Sequence, residues 1–215
     1  MRVARGLPRL ASCIAMLGLG ALPAEAAPSC PPRPALSKPR PMAFSVRERP
    51  GRRPVLIAEG TVDAGLMPRL RAAIDAFSGD ELWLRSAGGD ERVGRVAAQL
   101  IRGSNLITRI PAGWTCGGAC AFMFLGGFAR FVEPGGLFVV RSLRPSAGGG
   151  PERAQQAALR ASEDNGFLLR MGVWRTLLDE VLYRPLPGGA DRCLTQAELR
   201  RYNVTNVTWA PPEFD

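Results

Sequence analysis

The stretch Trp114-Thr-Cys-Gly-Gly-Ala-Cys-Ala-Phe-Met-Phe-Leu-Gly-Gly127 decides the fold of this chain. Between residues 119 and 125 the thiol of Cys120 is the only polar side chain. A helix that is apolar on every side belongs in a core, so we predict a buried helix over residues 116–127. The glycines at positions 117 and 118 would let another group approach the unpaired backbone N–H groups of the first helical turn.

A second glycine pair ends the upstream stretch Leu82-Trp-Leu-Arg-Ser-Ala-Gly-Gly89, which reads as a short apolar strand. Two glycine-lined backbone sites, each lying where a strand gives way to a helix, can together form a hole for an oxyanion. The alternative is that the four glycines only serve turns and close packing. The sequence leaves both interpretations open.

The first 26 of the 215 residues resemble a secretory signal peptide. They have a basic start, an apolar middle over residues 10–22 and a small-residue cleavage site at Ala24-Glu-Ala26. A retained membrane anchor is the alternative, and no second apolar stretch is long enough for a membrane helix. We therefore predict a soluble mature protein that is exported, either periplasmic or secreted. Its length suits one domain with appendages.

The formal net charge of +9 is concentrated in one segment. Residues 27–54 hold seven basic residues and one acidic residue, whereas residues 55–215 hold 18 basic and 17 acidic ones. Because the folded part is nearly neutral, we predict no nucleic-acid partner. The basic segment 28–54 allows weak contact with a membrane surface. Its eight prolines predict an extended linker over 27–54, interrupted by a short strand near residues 43–47, with the globular domain over 55–215.

Four cysteines remain after removal of the signal peptide: Cys30, Cys116, Cys120 and Cys193. In an exported protein they allow disulfides in three connectivities. A bridge between Cys30 and Cys193 would tie the linker to the domain, whereas a bridge between positions 116 and 120 would be awkwardly oriented along a helix. The alternative is a free Cys30 and two buried thiols. The chain has no His and no C-x-x-C pair, so we expect no metal site and no cofactor.

Hydrophobic periodicity predicts an alternation of strands and helices. The expected strands cover residues 55–60, 81–85, 106–110, 130–132, 137–140 and 204–209. The expected helices cover residues 66–77, 90–103, 116–127, 152–171 and 173–183, and Asp90 can cap the second of them. A further helix begins with the capping box Thr195-Gln-Ala-Glu198. Such alternation predicts an α/β fold of βαβ units on a mainly parallel sheet.

The order of these elements resembles a known family. A strand, Ser86-Ala-Gly-Gly89, a helix, a strand, the small-residue helix 116–127, Arg130 and the strand 137–140 are arranged as in the Clp-protease proteolytic subunit, ClpP, and its crotonase-superfamily relatives. The resemblance covers about residues 55–209 and is strongest to exported bacterial proteins of this group. Its most specific part is the stretch 191–203, which is similar to the family's run from a catalytic Asp through a helix to a Tyr-Gly turn. It implies a ClpP/crotonase-like fold of repeated ββα and βαβ units.

The same resemblance implies a degenerate catalytic triad. The family's nucleophilic Ser corresponds to Gly118 and its His to Arg141, while its acid is retained as Asp191. Without a nucleophile and a base, none of the three positions is expected to be catalytic. Gly88, Gly89 and the backbone amides of Gly118 and Ala119 match the family's oxyanion-hole region and could bind a carboxylate or a carbonyl. We expect Arg141 and Asp191 to form an ion pair in place of the triad.

Three functions follow from these residues. The expected one is an exported, non-catalytic protein that binds a peptide or a protein, or that scaffolds a homo-oligomer, since relatives form rings or trimers. The second is a crotonase-type enzyme that needs only two backbone donors, although acyl-CoA substrates are not expected outside the cytoplasm. The third is a residual peptidase or esterase with another nucleophile, for which Ser86, Thr115 and Ser142 are candidates.

Overall fold

A computed structural model of the chain describes residue 30 and residues 40–142, 150–184 and 191–207. The predicted signal peptide lies outside the described residues. The strands are β1 (Ala43–Arg49), β2 (Arg52–Glu59), β3 (Glu81–Arg85), β4 (Ile107–Ile110), β5 (Thr115–Gly117), β6 (Arg130–Val132), β7 (Leu137–Val140) and β8 (Arg192–Cys193). The helices are α1 (Leu66–Asp75), α2 (Glu91–Gly103), α3 (Ala119–Leu125), α4 (Pro151–Arg170) and α5 (Gln196–Arg201), and a π-helical segment, Leu178–Leu182, follows α4.

Two sheets organise the domain. The larger sheet has the order β1-β2-β3-β4-β6, in which β1 is antiparallel to β2 and every other pair is parallel. The smaller sheet has the order β5-β7-β8, with β5 parallel and β8 antiparallel to β7. The prediction that the strands near residues 55–60, 82–86 and 107–110 share one sheet is confirmed, and so is the α/β fold with a mostly parallel central sheet.

The core lies on one face of the larger sheet, and α3 runs through it. Every residue of α3 from Ala119 to Leu125 is buried, as its uniformly apolar sequence predicts. Helix α2 packs against α3 and presents Ala97, Ala98 and Ile101 to it, all fully buried. The small side chains of α2 and the glycine at position 94 allow this close approach, since a methyl group on Gly94 would lie 2.4 Å from the carbonyl oxygen of Ala119.

The helix predicted over residues 116–127 is shorter than expected. Cys116 and Gly117 belong to strand β5, where Cys116 pairs with Phe138 of β7 and with Ser86 after β3. The helix begins only at Ala119, because Gly118 has a positive φ of 52° that no helix accommodates. The prediction was wrong at this end because glycines and small apolar residues do not distinguish a buried strand from a buried helix.

The described part of the predicted linker belongs to the sheet. Strand β1 lies wholly within residues 27–54 and forms a hairpin with β2, which begins three residues before the predicted domain start at Val55. Met42, just before β1, is buried in the core. The short strand predicted near residues 43–47 is β1, and Pro50-Gly51 forms the turn that joins it to β2, with Gly51 at φ 68°.

Two other predicted elements also differ. Residues 173–183 form a loop followed by a short helical turn and the π-helical segment, since Gly172 ends α4 with φ 67° and Val173 leaves the helical path. Residues 204–207 form no strand, and the remainder of the predicted strand over 204–209 lies outside the described residues. No helix among the described residues has the length and the apolar character needed to cross a membrane.

The predicted helix caps are confirmed. The Asp90 carboxylate accepts hydrogen bonds from the N–H groups of Arg92 and Val93 at the start of α2. At the start of α5 the Thr195 hydroxyl accepts from the N–H of Glu198, and the Glu198 carboxylate accepts from the N–H of Thr195 at 2.8 Å. This reciprocal pair forms the capping box that the sequence indicates.

Arg130 is a buried cation that joins three parts of the chain. Its guanidinium is 1% exposed and donates to backbone carbonyl oxygens after α3, after α4 and in the last described segment. The acceptors are Val204 at 2.7 Å, Asn203 at 2.7 Å, Met171 at 2.9 Å, Gly127 at 3.1 Å and Leu125 at 3.5 Å. Burial, and to a lesser degree the nearby charge of Arg102, lowers the pKa of Arg130 to about 10, so it stays protonated at neutral pH.

We predict that Arg130→Met destabilises the protein by about 3 kcal/mol or more, because it leaves several buried carbonyl oxygens without a donor. The measurement is the free energy of unfolding in urea. The matched control is Arg71→Met on the exposed side of α1, for which we expect a change within about 0.5 kcal/mol. Equal effects of the two substitutions would contradict the role given to Arg130.

Candidate functional site

The site is built around a sharp turn between β5 and α3. Gly118 lies at this turn with φ 52° and ψ −121°, and the helix starts at the next residue. A strand that turns sharply into a helix at a residue with strained backbone angles is the geometry that exposes a nucleophile in serine hydrolases. The structure thus places Gly118, the residue matched to the family's Ser, at a turn of this shape, which we call the elbow.

A disulfide spans the elbow. Cys116 on β5 and Cys120 in the first turn of α3 are bonded, with their Cα atoms 5.2 Å apart. Both residues are fully buried. The awkward orientation expected along a helix does not arise, because Cys116 is in a strand and the chain reverses direction between the two residues. The bridge links the strand and the helix that set the position of Gly118.

The second glycine pair packs directly against the elbow. Gly88 has φ 120°, and a methyl group on it would lie 2.9 Å from the carbonyl oxygen of Gly117. Gly89 has φ 143°, and a methyl group on it would lie 2.0 Å from the carbonyl oxygen of Val62. Glycine is therefore required at both positions for steric reasons, and the two glycine-rich turns meet as the sequence predicts.

The four amides predicted for an oxyanion hole fall into two groups. The N–H of Gly88 donates to the Ser86 hydroxyl at 3.0 Å, and the N–H of Gly118 donates to the carbonyl of Val139 at 3.2 Å. The N–H groups of Gly89 and Ala119 have no acceptor among the described residues. Gly89 is exposed whereas Ala119 is 0% exposed, so of these four amides only that of Gly89 is open to a ligand oxygen.

The candidate nucleophile Ser86 is engaged in structure. Its side chain is fully buried, accepts from the N–H of Gly88 and donates to the carbonyl of Gly88 at 3.3 Å. This arrangement stabilises the Ser86-Ala-Gly-Gly89 turn rather than exposing the hydroxyl. Thr115 is also buried, at 6% exposure.

Arg141 and Asp191 meet at the open end of the smaller sheet. Strands β7 and β8 pair antiparallel with Val140 opposite Arg192. Arg141, which follows Val140, therefore lies opposite Asp191, which precedes Arg192. The Nε–H of Arg141 donates to Oδ1 of Asp191 at 2.9 Å. The Arg141 side chain is 68% exposed, whereas that of Asp191 is 19% exposed. The strand register therefore brings together the two residues matched to the triad's base and acid.

A second disulfide lies next to this pair. Cys30 is bonded to Cys193 of β8, with the Cα atoms 5.0 Å apart and 163 positions apart in the sequence. Asp191 lies two residues before Cys193. The bridge therefore attaches the region before the domain directly beside the retained acid.

An apolar cleft opens beside the elbow. Gly118, Glu91 and Arg141 contribute its polar groups, and the remaining lining is hydrocarbon, from Ala121, Phe122, Leu125, Phe138, Val140, Leu177 and Leu182. The space inside it that can hold a water-sized group is only about 20 Å³, because the hydrocarbon lining nearly fills it. Sequence reasoning missed Glu91, although its position directly after the Asp90 cap indicates that it lies at the entrance to the glycine-lined turn. No group of three or more Cys, Asp or Glu side chains among the described residues could hold a metal ion.

Comparisons with known proteins agree on the fold. No protein-family model matches the sequence, and no curated protein matches it. Solved structures do match. The chain superposes on a mutant of the membrane-bound stomatin-specific protease 1510-N with a TM-score of 0.52 and 18% identity, covering 70% of this chain and 76% of that one.

Two further structures give the same result. A mutant of ClpP1 from Listeria monocytogenes matches with a TM-score of 0.51 and 16% identity over 71% of this chain and 88% of that one. Another mutant of the stomatin-specific protease, in complex with a substrate peptide, matches with a TM-score of 0.50 and 17% identity over 70% of this chain and 72% of that one. At these identities the likeness shows the fold alone, and the chain has the ClpP-type fold that the sequence predicts.

We predict a measurable coupling between Arg141 and Asp191. In a double-mutant cycle of Arg141→Gln and Asp191→Asn, urea unfolding should give a favourable interaction of about 0.5–1 kcal/mol that declines with added salt. The control is the pair Arg175–Asp179, which is 3.5 Å apart with both side chains at least 60% exposed, and for which we expect at most about 0.5 kcal/mol. A coupling at Arg141–Asp191 no larger than at the control pair would contradict the structural role of the contact.

Proposed function

We propose that this chain is an exported, non-catalytic protein of ClpP-type fold, a serine-peptidase pseudoenzyme that uses the remains of the site to bind a peptide or another protein. The observation that carries the proposal is the occupation of the elbow by Gly118 together with the Arg141–Asp191 contact. Gly118 offers no nucleophile at the turn that would present one. Arg141 is a cation at the position that the resemblance assigns to the base.

The absence of a base is the stronger half of the argument. The chain contains no His, and a guanidinium remains protonated at the pH at which peptidases work, so it cannot accept a proton from a hydroxyl. In an intact triad the acid orients an imidazole and stabilises its charged form. Here Asp191 accepts a hydrogen bond from a group that is already charged. The contact supports a role in holding β7 and β8 together at the mouth of the site.

The features that bind rather than react are retained. The exposed N–H of Gly89 can donate to a carbonyl oxygen, and the hydrocarbon lining of the narrow cleft at Gly118 offers apolar contact to a ligand beside it. One structure of similar fold is a protease in complex with a substrate peptide. By this likeness we propose an extended peptide segment as the ligand class. The relation rests on fold and site shape, not on shared catalytic residues.

Two disulfides support export. Disulfides persist in oxidising compartments and are rare in the cytosol. The bridges at Cys30–Cys193 and Cys116–Cys120 therefore agree with the secretory character of the first 26 residues. We propose a periplasmic or secreted location for the mature chain.

The test is hydrolysis by the mature chain, residues 27–215, of fluorescent casein and of p-nitrophenyl esters. We expect rates equal to those in buffer. The double variant Gly118→Ser/Arg141→His, which retains Asp191, should hydrolyse the esters about tenfold or more faster than either single variant, since nucleophile and base act as a unit. Hydrolysis by the wild type that disappears in Ser86→Ala or Thr115→Val would identify a working nucleophile and contradict the proposal.

A further inference from the structure

A second cavity, lined by charged side chains, lies between helices α2 and α4. The space in it that can hold water-sized groups is about 380 Å³, which falls within the range of about 300–1,000 Å³ that is typical of small-molecule sites. Of the eight described residues that line it, seven are charged and the eighth is Tyr183. The cavity includes Glu91, which also lines the apolar cleft, but no residue of the elbow. We call it the polar cavity.

A buried ion pair forms part of the lining of the polar cavity. The Asp164 side chain is 9% exposed and accepts hydrogen bonds from Nη2 of Arg95 and, at 2.9 Å, from the hydroxyl of Tyr183. The Cζ atom of Arg95 also lies 4.2 Å from the ring centre of Phe122. Burial and the Asp164 carboxylate raise the pKa of Tyr183, so its hydroxyl stays protonated and remains a donor. These contacts hold the three polar side chains in place before a ligand enters.

Four further charges line the polar cavity without an ion-pair partner. Glu91 and Arg92 lie in the first turn of α2, and Arg160 and Glu163 lie three residues apart on α4. An Arg and a Glu at that spacing on one helix can form a salt bridge. No salt bridge joins any of the four to another described residue. Two cations and two anions are therefore available to a molecule that enters the cavity.

We propose that the polar cavity binds a small basic amino acid, a molecule that carries a carboxylate, an α-ammonium group and a second cation on its side chain. Three arginines and four carboxylates line the cavity, which gives a formal charge of −1 that a ligand of net charge +1 balances. The guanidinium groups of Arg92 and Arg160 can donate to the ligand's carboxylate. The carboxylates of Glu91 and Glu163 can accept hydrogen bonds from its two cationic groups.

The mixture of charges argues against three other classes of ligand. A phosphate or a dicarboxylate would meet four carboxylates in a confined space, and like charges repel. A diamine would contact the glutamates but leave the arginines at positions 92 and 160 without an acceptor. An apolar molecule would take seven charged side chains out of water and give them no hydrogen bonds in return.

This proposal goes beyond the proposed function, and neither depends on the other. The polar cavity contains neither Gly118 nor the Arg141–Asp191 pair, on which the assignment as a non-catalytic protein rests. Loss of amino-acid binding would leave that assignment unchanged, and detection of hydrolysis would leave the polar cavity unchanged.

The first test is isothermal titration calorimetry of the mature chain with L-arginine and L-lysine. We expect saturable binding with dissociation constants below about 1 mM. L-citrulline, which lacks the side-chain charge, and agmatine, which lacks the carboxylate, should each bind about tenfold or more weakly, because each leaves charged groups of the cavity unpaired. L-glutamate should show no binding at concentrations up to about 10 mM.

The second test uses variants of exposed side chains, so that the fold is preserved. Arg160→Gln and Glu163→Gln on α4 should each weaken the binding of L-arginine about tenfold or more. The matched controls Arg71→Gln and Asp75→Asn make the same changes of charge on the exposed side of α1, and binding should be unchanged. Urea midpoints of all four variants report whether the fold is intact.

Several results would overturn the proposal. One is the absence of binding by either basic amino acid, and another is equal binding of L-citrulline or agmatine. Binding that survives both α4 substitutions would place the amino acid elsewhere on the protein. Binding of the dipeptide Ala-Arg without binding of free L-arginine would assign the cavity to peptide ends instead.

Discussion

One buried guanidinium holds the ends of three segments on which the site depends. Arg130 carries a full charge at 1% exposure and contacts no carboxylate among the described residues, so backbone carbonyl dipoles alone solvate it. Three of those carbonyls, of Leu125, Gly127 and Met171, lie at the C-terminal ends of α3 and α4, where a cation is favoured by the helix dipole. Arg102 donates to two of the same oxygens, those of Leu125 and Met171. The α3 helix that starts at the elbow is thereby fixed at its other end. The segment after α5 is fixed as well, through Asn203 and Val204.

The backbone of the elbow keeps a shape that serves no side chain of its own. Gly118 adopts φ 52° and ψ −121°, although glycine has no side chain for such a turn to expose. The turn is enforced from outside by the Cys116–Cys120 bridge, by the hydrogen bond from Gly118 to Val139 and by the close packing of Gly88. A site over-determined in this way keeps its shape when a side chain is removed. That explains how the elbow can keep its shape with no side chain at Gly118.

The sequence predicted the order of strands and helices and the positions of the site residues better than it predicted the contacts between distant parts of the chain. Strand β3, the Asp90 cap and the capping box at Thr195 were readable because each depends on residues a few positions apart. The start of α3 was not readable from the sequence. Cys116 pairs in a strand with a residue far away in the chain, and small apolar residues do not indicate such a long-range contact. The strand β1 was predicted, but its pairing with β2 was not, because the prolines around it indicated a linker. Glu91 was missed because a carboxylate in a first helical turn usually serves the helix dipole. The layer of arginines and aromatic rings on the side of the larger sheet opposite the core could not be foreseen, since strand register alone brings Trp83 and Arg109 together.

The central claim is that no group in the site can act as an activated nucleophile. The most direct test is intact mass spectrometry of the mature chain after prolonged exposure to a fluorophosphonate, which reacts covalently with activated hydroxyls. The account predicts an unchanged mass, because Gly118 offers no hydroxyl and the Arg141 guanidinium beside Asp191 cannot accept a proton. A single stoichiometric adduct, mapped to a residue lining the cleft or the elbow, would contradict it.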